Sequence, residues 1–306
     1  MSEEHPYHVP ALFEETMDAL ALRPDGVYID ATFGGGGHTR GILERIDPEK
    51  GGHVYAFDQD MDAIARAHRD EPGLTLIHSN FRYITNFMRY CRVDGVDGVL
   101  ADLGVSSHHF DDPERGFSFR ADGPLDMRMN RSGERTARQL ILDSSRDELI
   151  EIFRLYGEVL WPRQLADAIV KARDNGEDFE TIESLLSVVR TVVDPWFEKK
   201  ELPKIFQALR IVVNNELEAL KQLLIGAKRV LNPGGRLVVI SYHSLEDRLV
   251  KNYMRTGTFN GEARKDFFGK VMAPMVPKGK VVTAGYEELE RNPRARSAKL
   301  RTAELK

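Results

Sequence analysis

Four consecutive glycines occupy residues 34–37, between a short β-prone stretch and a helix-patterned one. Val27-Tyr-Ile-Asp30 suits a strand, and Ile42, Leu43 and Ile46 recur at helical spacing behind the run. Glycine at this density favours neither regular element, so the run is a turn between a strand and a helix. The unit then repeats. His53-Val-Tyr-Ala-Phe57 reads as a second strand, and Asp60 as the N-cap of a helix through Ile64 and Ala67. Leu74-Thr-Leu-Ile77 and Gly98-Val-Leu-Ala101 read as a third and a fourth strand. This alternation predicts an α/β fold, a parallel sheet covered by helices on both faces.

The rhythm breaks over residues 113–204, where helix signals dominate. Ser145-Arg-Asp-Glu148 fits a capping box ahead of Leu149, Ile150, Phe153 and Tyr156. Trp161-Pro162 opens a stretch with Leu165, Ile169 and Ala172 on one face, and Ile182, Leu185, Leu186 and Val189 give another. Phe206, Leu209, Val213, Leu217, Leu220, Leu224, Ala227 and Leu231 then predict one long amphipathic helix, stopped by Asn232-Pro-Gly-Gly235. Arg236-Leu-Val-Val-Ile240 reads as the next strand. The expected organisation is one domain built from residues 1–112 and 208–306, interrupted by a helical insertion over residues 113–207. Residues 269–285, rich in Pro, Lys, Gly and Val, are expected to form a mobile loop.

Three aspartates bear on what the glycine turn could hold. Asp30, Asp58 and Asp102 end the first, second and fourth predicted strands, and in an open α/β sheet ligands bind beyond the carboxyl ends of the strands. Neither the GxGxxG dinucleotide pattern nor the Lys-Ser/Thr of a P-loop is present. Carboxylates at this density repel a pyrophosphate and suit a ribose carried with positive charge. S-adenosylmethionine has the ribose, the ammonium and the sulfonium, and no phosphate. A tight turn flanked by ordinary helix caps is the plainer reading of the same residues.

Composition narrows the class. The chain has 306 residues, 42% hydrophobic and 30% charged, as expected of a folded soluble protein. No apolar run reaches the roughly 18 residues needed to span a bilayer, and the acidic start does not resemble a secretory signal. A single cysteine, Cys91, allows no internal disulfide and no thiolate zinc site, so a cytoplasmic setting is expected. No metal is expected, because no Cys/His cluster or acidic pair shows metal-ligand spacing. The net charge is −5, yet from residue 251 onward thirteen Lys/Arg face six Asp/Glu, a local +7. A basic segment on an acidic body can meet a phosphate backbone; an unevenly charged solvated surface explains it equally.

The blocks DATFGGGGHTRGIL, AFDQD, DLGVSSHHFDDPERGFSFRADGPLDMRMN, LYGEVLWPRQLADAIV, FQALRIVVNNELEAL, LNPGGRLVVISYHSLEDRLVK and NPRARSAKLR run in order along nearly the whole chain. Together they resemble the bacterial 16S ribosomal RNA cytosine-N4 methyltransferases, the small-subunit methyltransferase H family. The resemblance implies a class I S-adenosylmethionine-dependent methyltransferase fold, Rossmann-like and mostly parallel, with an inserted helical domain that recognises substrate. It implies a cofactor site of Gly36, Gly37, His38, Asp58, Phe81, Asp102 and His109. One departure is His108-His109, where the family commonly carries Pro-Gln or a similar pair. The implied partner is 16S rRNA or the small ribosomal subunit; a homodimer is left open.

The implied reaction methylates the exocyclic amine of a cytidine in the decoding region. An acceptor on the amine N–H helps, and Asp102 or the carbonyls of Leu103 and Gly104 are candidates. Tyr242 and His243, in SYHSLEDR after the last predicted strand, are candidates for stacking on an extruded base and for contacting base or phosphate. Arg128, Arg294, Arg296 and Lys299 are candidate phosphate contacts. Cytosine C5 methylation would need a catalytic cysteine, and Cys91 lies in no such context. A dinucleotide oxidoreductase and a non-catalytic assembly scaffold are the alternatives; the missing third glycine opposes the first and the intact DLG block the second.

Overall fold

The computed structural model describes residues 10–67, 70–133, 135–269 and 271–306. A seven-stranded sheet contains β1 (Val27–Asp30), β2 (His53–Asp58), β3 (Leu74–His78), β4 (Val96–Asp102), β5 (Leu231–Ser241), β6 (Met275–Thr283) and β7 (Lys299–Leu305). Helices α1 (Phe13–Leu20), α2 (Gly37–Leu43), α3 (Met61–Arg66) and α4 (Ile84–Tyr90) lie between or before the first four strands. Then come α5 (Ser107–Asp111), α6 (Ala137–Asp143), α7 (Arg146–Ile152), α8 (Pro162–Asp174), α9 (Ile182–Val189) and α10 (Pro195–Val213). Helices α11 (Glu216–Val230), α12 (Ser244–Thr256) and α13 (Tyr286–Arg291) alternate with the last strands. The chain divides into two compact units, residues 1–104 with 217–306, and residues 105–216.

In the first unit the strand order is β3-β2-β1-β4-β5-β7-β6. Pairing is parallel from β3 through β5, and β7 runs antiparallel to both β5 and β6. This is the class I methyltransferase sheet, with its change of direction between β1 and β4. The central strands β1, β2, β4 and β5 place apolar residues on both faces, as a sheet covered on both sides requires. Ile29, Phe57, Val99, Ala101, Leu237 and Val239 pack with residues of α4, α11 and α12. The alternate residues Tyr28, Val54, Ala56, Leu100, Val238 and Ile240 pack with residues of α1 and α2.

The second unit has its own core, including Phe153, Leu165, Ile169, Phe179, Leu185, Ile205 and Leu209. The expected capping box is present: Ser145 Oγ accepts from Glu148 N while Ser145 N donates to the Glu148 carboxylate. Pro162 occupies the first turn of α8, where a missing N–H costs nothing. Arg115 is almost fully buried, and its guanidinium donates to the carbonyls of Arg128 at 3.1 Å and Met129 at 2.9 Å.

Three expectations need correction. The long helix is two, α10 and α11, separated at Asn214 and Asn215. Asn215 is left-handed (φ 49°), and the Asn214 amide donates to the Met127 and Arg210 carbonyls while its oxygen accepts from Met129 N. Residues 269–285 are not all loop, because 275–283 are an edge strand paired to β7. Asn232-Pro-Gly-Gly235 belongs to β5, with a register shift against β4 between Val96 and Gly98.

Candidate active site

The carboxyl ends of β1, β2 and β4 bring Asp30, Asp58 and Asp102 to one edge of the sheet. Asp30 is fully buried and works on the loop: Oδ2 accepts from Thr39 Oγ1 at 2.6 Å, and Oδ1 accepts from Thr32 N at 3.0 Å. Thr32 Oγ1 in turn accepts the Asp102 N–H at 2.7 Å, so one threonine ties β1 to β4. Burial pushes the Asp30 carboxyl up to about 6, against the Thr39 and Thr32 hydrogen bonds.

The glycine turn is held from the other side by Asp58, whose Oδ2 accepts from Gly34 N at 2.8 Å and Oδ1 from Asp60 N at 2.8 Å. Gly36 sits at φ +76° as the N-cap of α2, a conformation that disfavours any side chain. A Cβ on Gly37 would lie 2.4 Å from Pro10 Cγ, whereas one on Gly35 would meet nothing within 4 Å. The turn is thus packed at Gly37 and open at Gly35.

Asp102 is the centre of the remaining contacts. Its Oδ1 accepts the Tyr242 phenol at 2.7 Å, and its Oδ2 lies 3.7 Å from His38 Nδ1. Burial, then the charges of Asp30 and Glu246, push the Asp102 carboxyl up to about 7, with the Tyr242 hydrogen bond acting in the opposite direction. Burial and the neighbouring Asp102 raise the Tyr242 phenol, which stays protonated and donating. Burial pushes His38 down to about 4, so the imidazole is neutral at pH 7 and forms no ion pair with Asp102. His38 Nε2 is buried with no hydrogen-bond partner among the described residues. The Tyr242 ring passes Gly104 (φ +100°), 3.4 Å from where a Cβ would stand.

The other candidates are placed as follows. Phe81 is half-buried in a 3₁₀ turn after β3, against the sheet core. Its neighbour Asn80 donates to Gln59 Oε1 at 2.6 Å, joining the loops after β3 and β2. His243 is the N-cap of α12, its Nδ1 accepting from Glu246 N at 3.5 Å. Its Nε2 lies 3.2 Å from Glu246 Oε1 but without hydrogen-bond geometry. His109 belongs to the second unit, where its Nδ1 accepts from Ser106 N at 3.2 Å and its ring packs on Phe117. Arg128 is bonded to Asp126 and the Gly133 carbonyl.

Thr32, Thr39 and Glu246 were not singled out from the sequence. Both threonines stand inside the DATFGGGGHT block. Glu246, buried and accepting from Tyr242 N at 3.0 Å, is the third residue after the His243 cap, a spacing that signals reciprocal capping.

A model of the MraW methylase family matches residues 5–306. The chain belongs to the MraW methylase family. It is 55% identical over 299 residues to a protein of Phocaeicola vulgatus, covering 97% of each chain. It is 54% identical over 305 residues to one of Bacteroides fragilis, covering 99% of each. It is 51% identical over 300 residues to one of Cytophaga hutchinsonii, covering 97% of this chain and 99% of that one. All three relatives carry the name ribosomal RNA small subunit methyltransferase H. Asp58 and Asp102 end β2 and β4, Gly35 is the open point of the glycine turn, and the unsatisfied His38 nitrogen follows that turn. Their acidic, phosphate-repelling character fits S-adenosylmethionine.

Proposed function

We propose that the chain methylates the N4 amine of a decoding-centre cytidine in 16S ribosomal RNA, with S-adenosylmethionine as methyl donor. The observation that carries this reading is the Asp102 carboxyl, held by Tyr242 at the end of β4 beside the glycine turn. The names of the relatives support the rRNA substrate.

In this reading Asp58 accepts the ribose hydroxyls, Gly36 and Gly37 let the backbone approach the donor, and Phe81 lies along the adenine. S-adenosylmethionine, when bound, supplies an electrophilic methyl group on its sulfonium. The cytidine amine is a weak nucleophile because its lone pair is delocalised into the ring. Asp102 accepts one amine N–H, which localises that lone pair for in-line attack, and then takes the proton released. A carboxyl at about 7 is matched to this task, being largely ionised at slightly alkaline pH and still basic enough to receive a proton. Tyr242 holds the accepting oxygen in place and can meet the target base with its ring edge. His243 shapes the start of α12 and is a contact for base or phosphate. The helical second unit recognises RNA, and the ribosomal substrate sets the work in the cytoplasm. Among the described residues no helix is long and apolar enough to cross a membrane.

The test is mass mapping of modified nucleosides after incubating the chain with S-adenosylmethionine and unmodified small subunits. N4-methylcytidine at one site is expected. A product methylated at C5 or at another base would overturn the reading.

A further inference from the structure

A groove of about 240 Å³ lies on the last part of the first unit, with α12 as one wall and β6 and β7 as the other. Five cations line it: Lys251 and Arg255 from α12, Lys278 and Lys280 from β6, and Arg301 from β7. Two of them are neutralised within the fold. Lys278 lies 2.9 Å from the Glu304 carboxylate, and Arg301 donates to Asp247 at 2.7 Å. Asp247 is also 3.7 Å from Lys299 and feels the charge of Lys251, so one carboxylate is shared among several cations. Lys251, Arg255 and Lys280 are exposed, and none makes a salt bridge among the described residues.

The fold offsets this charge only in part. Lys251 and Arg255 are like charges four residues apart on one helix face, a spacing that repels. Lys280 is carried towards them by a break in the β6–β7 register between Lys278 and Val282, where Gly279 takes φ +69°. Lysines on an edge strand guard it against pairing with other chains, which accounts for Lys278 and Lys280 but not for the two helix cations. Lys251 and Arg255 stand about 6 Å apart along the helix axis, so the charge forms a line rather than a point. Met254 and Val281 give the groove an apolar side. A line of cations beside an apolar surface suits a strand that alternates phosphates with sugar and base faces.

We infer that this groove binds the phosphate backbone of an RNA strand flanking the target nucleotide. The inference rests on the reading of the chain as an rRNA methyltransferase, and it adds a contact surface outside the helical unit.

The full chain and the variant K251Q/R255Q/K280Q are compared for binding to labelled 16S rRNA transcript, and to small subunits, across a potassium chloride series. Each lost phosphate contact lowers the slope of log affinity against log salt by roughly 0.7 for single strands, so the triple variant should be shallower by about 2 and at least about tenfold weaker. KM for small subunits should rise with kcat unchanged, and affinity for S-adenosylmethionine should stay at the wild-type value. A control removing the same charge elsewhere, K50Q/R66Q/K228Q, should bind like wild type. Equal slopes and affinities for the groove variant and wild type overturn the groove alone. An equal loss in the control overturns it too, since net charge would then suffice. Aggregation of the triple variant with unchanged RNA affinity of its monomeric fraction would assign the cations to edge protection and overturn it. Failure of the wild-type chain to bind either RNA would overturn the groove and the rRNA reading together.

Discussion

Replacing Tyr242 by Phe removes one atom, the phenol oxygen that donates to Asp102 Oδ1 at 2.7 Å. That bond favours the charged carboxylate, whereas burial and the charges of Asp30 and Glu246 oppose it. A hydrogen bond to a charged group contributes about 1.5–3 kcal/mol, and one pKa unit is about 1.36 kcal/mol. Asp102 should therefore move up by about 1 to 2 units from its value of about 7. Because the carboxylate is the form that accepts the amine proton, the shift removes active enzyme near neutrality and leaves it intact at high pH. At pH 7.5 the rate should fall about 3- to 25-fold, and the two enzymes should converge towards pH 9 or above. Single-turnover methyl transfer at saturating S-adenosylmethionine, measured across pH 6 to 9.5, reads this directly. The phenol of the wild-type chain, raised by burial, does not titrate in that window. An acid limb at the same pH in both enzymes, or a loss of equal size at every pH, would refute the assignment of Asp102 as proton acceptor.

Asp58→Ala should weaken S-adenosylmethionine by at least about 100-fold in calorimetry, as expected for two lost hydrogen bonds to a charged group; unchanged affinity would remove the ribose assignment. Asp102→Asn should lower methyl transfer by about 10²- to 10⁴-fold while donor affinity changes little, so a near-normal rate would move the acceptor role elsewhere. Arg115→Leu removes the buried guanidinium that donates to the carbonyls of Arg128 and Met129 and should cost about 2–4 kcal/mol in denaturant unfolding; a loss below about 0.5 kcal/mol would show that the second unit does not depend on that buried cation.

Where the chain's local pattern and its long-range pairing agree, the sequence was readable. The four early strands, the Asp60 cap and the Ser145 box are local events, and each aspartate of the crevice was visible as a strand terminus. The helix break at Asn214-Asn215 was hidden because Val213 and Leu217 keep helical spacing across it, and the spacing outweighed a tandem asparagine that tolerates the left-handed turn. Strand β6 carries Pro277 and Gly279, residues that demote a strand unless it lies at an edge. Its edge place depends on β7, which returns from beyond α13 and leaves no mark near residue 275. The site divides the same way: Asp58 and Asp102 stand out one by one, whereas the Tyr242 phenol meets Asp102 only because β5 lies beside β4.

The bonds from Asp30 to Thr32 and Thr39, and from Asp58 to Gly34, fix the glycine turn before any ligand arrives. Four successive glycines would otherwise wander widely and have to be ordered by the incoming molecule. Here that ordering is charged to folding, so donor affinity need not supply it. Loosening either threonine would then lower the melting temperature and the donor association constant together, although neither side chain has to touch the donor.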